Sequence, residues 1–157
     1  MTTKPQNKFK KRTAGRLAAV QALFQLEQTG AAPAEVVAEF LSFRLKETPK
    51  SIETTFFSKL VVGAWVSHQK IDDMVAGALK PGWTIDRLES VTRALLRASL
   101  YEIINTKTPT AAIINEYVNL TRSFFDESEV SFVNGVLNTL AHKIRGQESG
   151  DRIQESN

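Results

Sequence analysis

The sequence predicts an all-α protein of two packed helical bundles, about six to seven helices in total. Three observations predict this. Apolar residues recur at three- and four-residue spacing along most of the chain. No stretch alternates apolar and polar residues between turn signals, as a half-buried strand would. The periodic stretches are separated by helix punctuation at Gly30, Pro33, Pro49, Pro81-Gly82 and Pro109.

Residues 1–12 read as a flexible basic arm, and helical periodicity starts at Thr13. The first helix carries Val20, Leu23, Phe24 and Glu27 on one face, with Leu17 and Leu26 at its margins and Gln21, Gln25 and Gln28 opposite. Gly30 ends it. Pro33 suits the first turn of a second helix bearing Val36, Val37, Phe40 and Leu41, which Pro49 breaks. Ser51 can cap a third, long helix running from Phe56 to Ala78. Its apolar stripe is Phe56, Phe57, Leu60, Val61, Ala64, Ile71, Met74, Val75 and Ala78. Trp65 points away from this stripe, to pack on another element or meet solvent.

Lys80-Pro81-Gly82 marks a boundary between subdomains of about 13–80 and 83–145 within one domain spanning 13–145. Asp86 and Glu89 have the spacing of a capping box for a fourth helix. That helix carries Leu88, Thr92, Leu95, Leu96, Ser99 and Ile103. Thr108-Pro109 opens a fifth with Ile113, Tyr117, Leu120 and Phe124. After Asp126 to Ser128 a sixth buries Val133, Val136, Leu137, Leu140 and Ile144. Residues 146–157 read as a flexible polar tail.

Composition narrows the function. The 157 residues, 42% hydrophobic, suffice for one ordinary core. The chain has no cysteine and two histidines, which excludes disulfides and makes a metal site unexpected. No apolar run approaches the ~20 residues that cross a bilayer. No secretory signal precedes the body, so a cytoplasmic protein is expected. The net charge of +3 is distributed unevenly. Lys4, Lys8, Lys10, Lys11, Arg12 and Arg16 all precede the first acidic residue, Glu27. Such a segment attracts polyanions, unless it is only a solvated terminus.

Catalytic patterns are missing. There is no phosphate-binding glycine loop, nucleophile elbow or zinc-protease motif, so neither enzyme activity nor a cofactor is expected. His68 reads as a satisfied, partly buried histidine. Asp72 and Asp73 are adjacent on a helix, so their side chains diverge. Glu102 and Glu116 lie beside apolar faces and are expected to pair with Arg93 or Arg97 across the bundle. Arg93, Arg97 and Tyr101 follow one another at four-residue steps and read as a salt-bridge shelf, with Glu89 four residues before Arg93. Phe132 falls roughly 90° from the apolar centre of the last helix, on the ~100° per residue wheel. It either packs on the neighbouring helix or offers a platform for an RNA base. Asn134-Gly135 interrupts the same helix, and close helix approach would offset the glycine.

Taken together these residues resemble the transcription antitermination factor NusB family. Arg16-x-x-Ala19-Val20-Gln21-Ala22-Leu23-Phe24 is similar to the family's first helix. Trp83, Leu96-Arg97, Tyr101-Glu102, Ile114-Asn115-Glu116 and Phe132-Val133-Asn134-Gly135-Val136-Leu137 follow in the family's order. The resemblance extends from about Thr13 to Arg145. It implies a non-enzymatic RNA-binding adaptor that pairs with NusE, a small-subunit ribosomal protein. The pair would bind single-stranded boxA RNA of ribosomal RNA leaders and help RNA polymerase pass termination signals. It further implies RNA contacts at Lys8, Lys10, Lys11, Arg12, Arg16 and Phe132. Arg97, Glu102, Asn115, Glu116 and Asn134 would form a structural polar network.

Three features depart from the family pattern. Thr92 stands where an acidic residue is common, Phe24 where Tyr is common, and the loop before Phe132 is acidic at Asp126, Glu127 and Glu129. The alternative to the adaptor is a helical protein-interaction scaffold that binds no RNA.

Overall fold

The computed structural model describes residues 5–44 and 53–156, with side chains over 11–43 and 53–146. Helix α1 spans Pro5–Thr29, α2 Pro33–Glu39, α3 Thr54–Val66 and α4 His68–Ala78. A π-helical turn, Phe40–Arg44, continues α2. After a 3-10 turn at Ile85–Arg87 come α5 Ser90–Asn105, α6 Thr110–Phe124 and α7 Glu127–Ser156. Among the described residues there is no strand.

Local chemistry explains most of the boundaries. Gly30 takes φ +69°, which glycine adopts without a Cβ penalty, and its N–H reaches Leu26 O at 2.9 Å. Pro33 occupies the first turn of α2. Asp126 Oδ1 accepts from the Ser128 and Glu129 N–H groups at 3.2 and 3.4 Å, capping α7.

Five boundaries differ from the sequence expectation. The helix begins at Pro5, so residues 5–12 continue α1 without a break; no glycine or proline lies between Pro5 and Gly15 to stop it. Likewise α7 continues through Gly146 to Ser156. The expected long third helix is two helices, because Ser67 leaves helical geometry at φ −94° and ψ 4°. There the His68 ring approaches the Trp65 carbonyl at 2.6 Å and stacks on the Trp65 ring at 4.2 Å. The kink lets α4 pack against α5 and α7. The fourth expected helix starts at Ser90, with Asp86 in the separate 3-10 turn, so Asp86 and Glu89 form no capping box. Pro109 is the residue before α6 rather than its first. The expectations at Lys4, Pro49 and Ser51 lie outside the described residues.

A single apolar cluster joins both sides of the Lys80-Pro81-Gly82 turn, from Ala18 through Leu60 and Leu96 to Leu140. Helix α5 sits at its centre and touches α1, α3, α4, α6 and α7. Burial therefore runs around nearly its whole circumference, from Leu95 through Ile103 except at the half-buried Tyr101. This is why α5 carries small residues, Ala94, Ala98 and Ser99, between its leucines. Gly63 on α3 is the tightest approach: a Cβ there would overlap the Tyr101 ring of α5.

Candidate nucleic-acid interface

The basic half of α1 is held to the body by ordinary packing and a graded series of polar contacts. Lys8, Lys11 and Arg12 share one helical face by spacing. The side chains of Lys8 and Lys10 lie outside the described residues. Lys11 is half-buried. Arg12 donates from Nε to Glu53 Oε2 at 3.0 Å, and its guanidinium lies 4.9 Å over the Phe56 ring. The next residue, Thr13, donates to Glu116 Oε1 at 2.6 Å.

Arg16 corrects the sequence expectation. It is 3% exposed and cannot meet RNA. Its Nε and Nη2 each lie 2.8 Å from the Glu102 carboxylate, and Nη1 lies 3.1 Å from Glu116. Tyr117 adds a 2.5 Å bond to Glu102. Burial alone would lower the Arg16 pKa; Glu102, then Tyr117 and Glu116, hold it above the ordinary value. Burial also pushes the Tyr117 phenol well up, and the Glu102 charge pushes it further. Burying this basic side chain is tolerable because each of its charged neighbours is paired. The partners of Glu102 and Glu116 are thus Arg16 and its neighbours, not Arg93 or Arg97.

Arg93 and Arg97 instead converge on Glu27 of α1. Arg97 also grips Asp72 of α4 at 2.9 and 2.7 Å, and Arg93 donates to Leu88 O at 2.5 Å. The shelf with Glu89 does not form, because Glu89 precedes the first turn of α5 and Arg93 turns toward α1. Burial would raise the Glu27 pKa, but the bonds from Arg93 and Arg97 bring it below the ordinary carboxylate value. Burial would lower that of Arg97, and Asp72 followed by Glu27 holds it up. Trp65, facing away from the α3 stripe, meets the Arg97 guanidinium at 5.7 Å.

Of the expected polar network, Arg97, Glu102 and Glu116 are buried, the first in a separate cluster from the other two. Asn115 and Asn134 are exposed and belong to neither. The Asn138 amide donates to the Asn134 carbonyl and side-chain oxygens at 2.9 and 3.1 Å.

Phe132 is half-buried against the core in the first turns of α7, with Ser131, Asn134 and Gly135 exposed around it. Phe132 thus packs against the core with part of its surface and leaves the rest accessible. The acidic loop is less free than its composition suggests. Thr92 donates to Glu129, Asp126 caps α7, and Glu127 pairs with Arg122 at 3.3 Å. Glu127 and Glu129 also sit in the first turn of α7, where the helix dipole favours them. Two of the departures from the family pattern, Thr92 and the acidic loop, are thus one contact.

Sequence reasoning missed Glu27 and Asp72 as anchors, and a groove beside Arg12. Their partners lie 25 to 70 residues away, beyond any helical repeat. Among the described residues, no three His, Asp or Glu side chains could hold a metal ion. No helix among them is long and apolar enough to cross a membrane.

Comparison with known proteins gives a consistent picture. The NusB family model matches residues 13–142. A transcription antitermination protein NusB of Sinorhizobium fredii is 39% identical over 149 residues, covering 91% of this chain and 93% of that one. The solved T. maritima NusB superposes with a TM-score of 0.76 at 27% identity, covering 96% and 99% of the two chains. A solved complex of antitermination factors NusB and NusE with double-stranded RNA contains a chain with a TM-score of 0.72 at 28% identity. That match covers 85% of this chain and 97% of the other.

Proposed function

Since this chain belongs to the NusB family, we propose that it is a non-enzymatic RNA-binding adaptor in transcription antitermination, working together with a NusE subunit. The observation that carries this is the family match over residues 13–142, joined to a leading helix whose five cations, Lys8, Lys10, Lys11, Arg12 and Arg16, precede its first acid. The RNA is a single-stranded boxA-type element of ribosomal RNA leaders, and the assembly acts with RNA polymerase in the cytoplasm. Lys8, Lys10, Lys11 and Arg12 neutralise phosphates along the N-terminal half of α1. Phe132 offers its accessible ring edge and face to a base at the start of α7.

The mechanism divides the labour. Phosphate neutralisation by the arm is salt-dependent and blind to sequence. Discrimination comes from unstacked bases held against the helical body and from the second subunit. Tethering two weak RNA surfaces in one complex raises affinity through effective concentration. The body supplies rigidity, because Thr13 and Arg16 clamp the arm helix to α5 and α6.

Fluorescence anisotropy of a labelled boxA-type RNA tests this, titrated at two salt concentrations with and without NusE. Salt-sensitive binding, stronger with NusE and lost for a scrambled RNA, supports the adaptor. Absence of RNA binding in every condition leaves the protein-interaction scaffold.

A further inference from the structure

We propose that the groove beside Arg12, between α1, α3 and α5, is a nucleotide subsite on the RNA path. This rests on the RNA-binding reading above and adds a location that reading does not contain. The groove has a volume of about 320 Å³ and is lined by Arg12, Phe56, Lys59, Tyr101, Asn105 and Thr106, among others. That is the lower end of the range for small-molecule sites, on the scale of one nucleotide.

Several polar groups of its lining keep hydrogen-bonding capacity to spare. The Tyr101 hydroxyl makes no hydrogen bond among the described residues, although its ring is fixed over Gly63. The exposed Lys59 ammonium has no ion-pair partner among them. Asn105 spends its Nδ2 on Tyr101 O at 3.0 Å and leaves Oδ1 open. Among the described residues Arg12 donates from Nε alone, to Glu53, while Phe56 holds its guanidinium plane. The negative charge is already engaged: Glu53 by Arg12 and Glu102 by Arg16. Among the described residues Lys59 is therefore the charge at this rim without an ion-pair partner, and it is positive.

Location selects the ligand. The groove meets the basic half of α1 at Arg12, with Lys11 the preceding residue and Lys8 one turn earlier in the helix. A strand neutralised by those side chains would pass directly into it. The phosphate then meets Lys59 and the free guanidinium edge of Arg12. The base enters against Phe56 and the Tyr101 ring, and its edge meets the Tyr101 hydroxyl and Asn105 Oδ1. Cations placed for the backbone, with donors and acceptors placed for a base edge, are the two requirements of single-strand recognition.

The test uses the full chain with boxA-type RNA and compares Lys59→Ala, Asn105→Ala and Tyr101→Phe with the parent. The last removes a hydroxyl without a partner, so its fold is retained, and circular dichroism melts check all three. Lys59→Ala is expected to weaken binding and lower the salt slope by about one. Asn105→Ala and Tyr101→Phe are expected to weaken binding about 3- to 10-fold with the slope unchanged. In addition, RNA carrying 4-thiouridine should crosslink to the peptide containing Tyr101. Parental affinity and slope in all three variants overturn the subsite while leaving RNA binding by the arm intact. Loss of NusE binding with RNA binding unchanged also overturns it, making the groove a protein contact. Absence of RNA binding by the parent itself overturns the functional reading, and the subsite with it.

Discussion

Arg16 grips the Glu102 carboxylate through two parallel bonds, Nε to Oε2 and Nη2 to Oε1, both 2.8 Å, across 86 residues of sequence. Both side chains are almost fully buried, at 4% and 1% exposure. The pair ties the helix that carries the cations to the central helix of the core. Removing one partner leaves a buried charge, which costs about 3–5 kcal/mol. Glu102→Ala should lower the urea unfolding free energy by that amount. A cycle with Arg16→Met should show coupling, the double variant losing less than the sum of the singles. Additive losses would mean the two side chains act independently.

The arm acts through phosphates. Lys11→Ala with Arg12→Ala should weaken boxA-type RNA binding and reduce the salt slope by about two, with urea stability nearly unchanged. Equal affinity and slope in the double variant would remove these residues from the interface.

Phe132 divides its ring between the core and solvent. Phe132→Leu keeps an apolar side chain for packing and loses the aromatic face. Base stacking on a ring is worth about 1–3 kcal/mol, so RNA affinity should fall roughly 5- to 150-fold while stability changes little. A stability loss with unchanged RNA affinity would assign the ring to packing alone.

Gly63 admits no side chain. Gly63→Ala would place a Cβ inside the Tyr101 ring and force that ring out of its place over α3. Overpacking of this kind costs about 1–3 kcal/mol, read as a lower melting temperature. Combining it with Tyr101→Ala should cost less than the two changes added together, because the collision disappears.

Stability should fall at both ends of the pH scale. The Glu27 pKa lies below its ordinary value of 4.5 in the folded protein. The unfolded chain therefore binds protons first as pH falls, and the Glu27 contribution, complete above about 4.5, is lost below it. Tyr117 lies above its ordinary 10.0, so the unfolded chain ionises first and stability falls as pH rises past 10. Glu27→Gln should flatten the acid limb of a urea-midpoint profile, and Tyr117→Phe the alkaline limb. Unchanged limbs would show that other groups set them.

Periodicity and punctuation were enough to read the all-helical class, the apolar faces around Leu23, Val61, Leu95 and Ile113, and the Gly30 and Asp126 boundaries. Those features depend on residues within a turn or two of each other, and the backbone geometry of a helix makes such neighbours legible. The basic segment before Glu27 is likewise a property of the chain itself. Only the tertiary structure decided which cations face solvent and which are consumed. Arg16 sits in the same basic run as Lys11 and Arg12, yet α5 and α6 bring Glu102 and Glu116 to it and remove it from the surface. Glu27 becomes the anchor of Arg93 and Arg97 for the same reason, and Ser67 breaks a stripe that looks continuous. An ion pair between residues far apart leaves no repeat in the sequence, because its partners are chosen by how helices pack and by the cost of burying either charge alone.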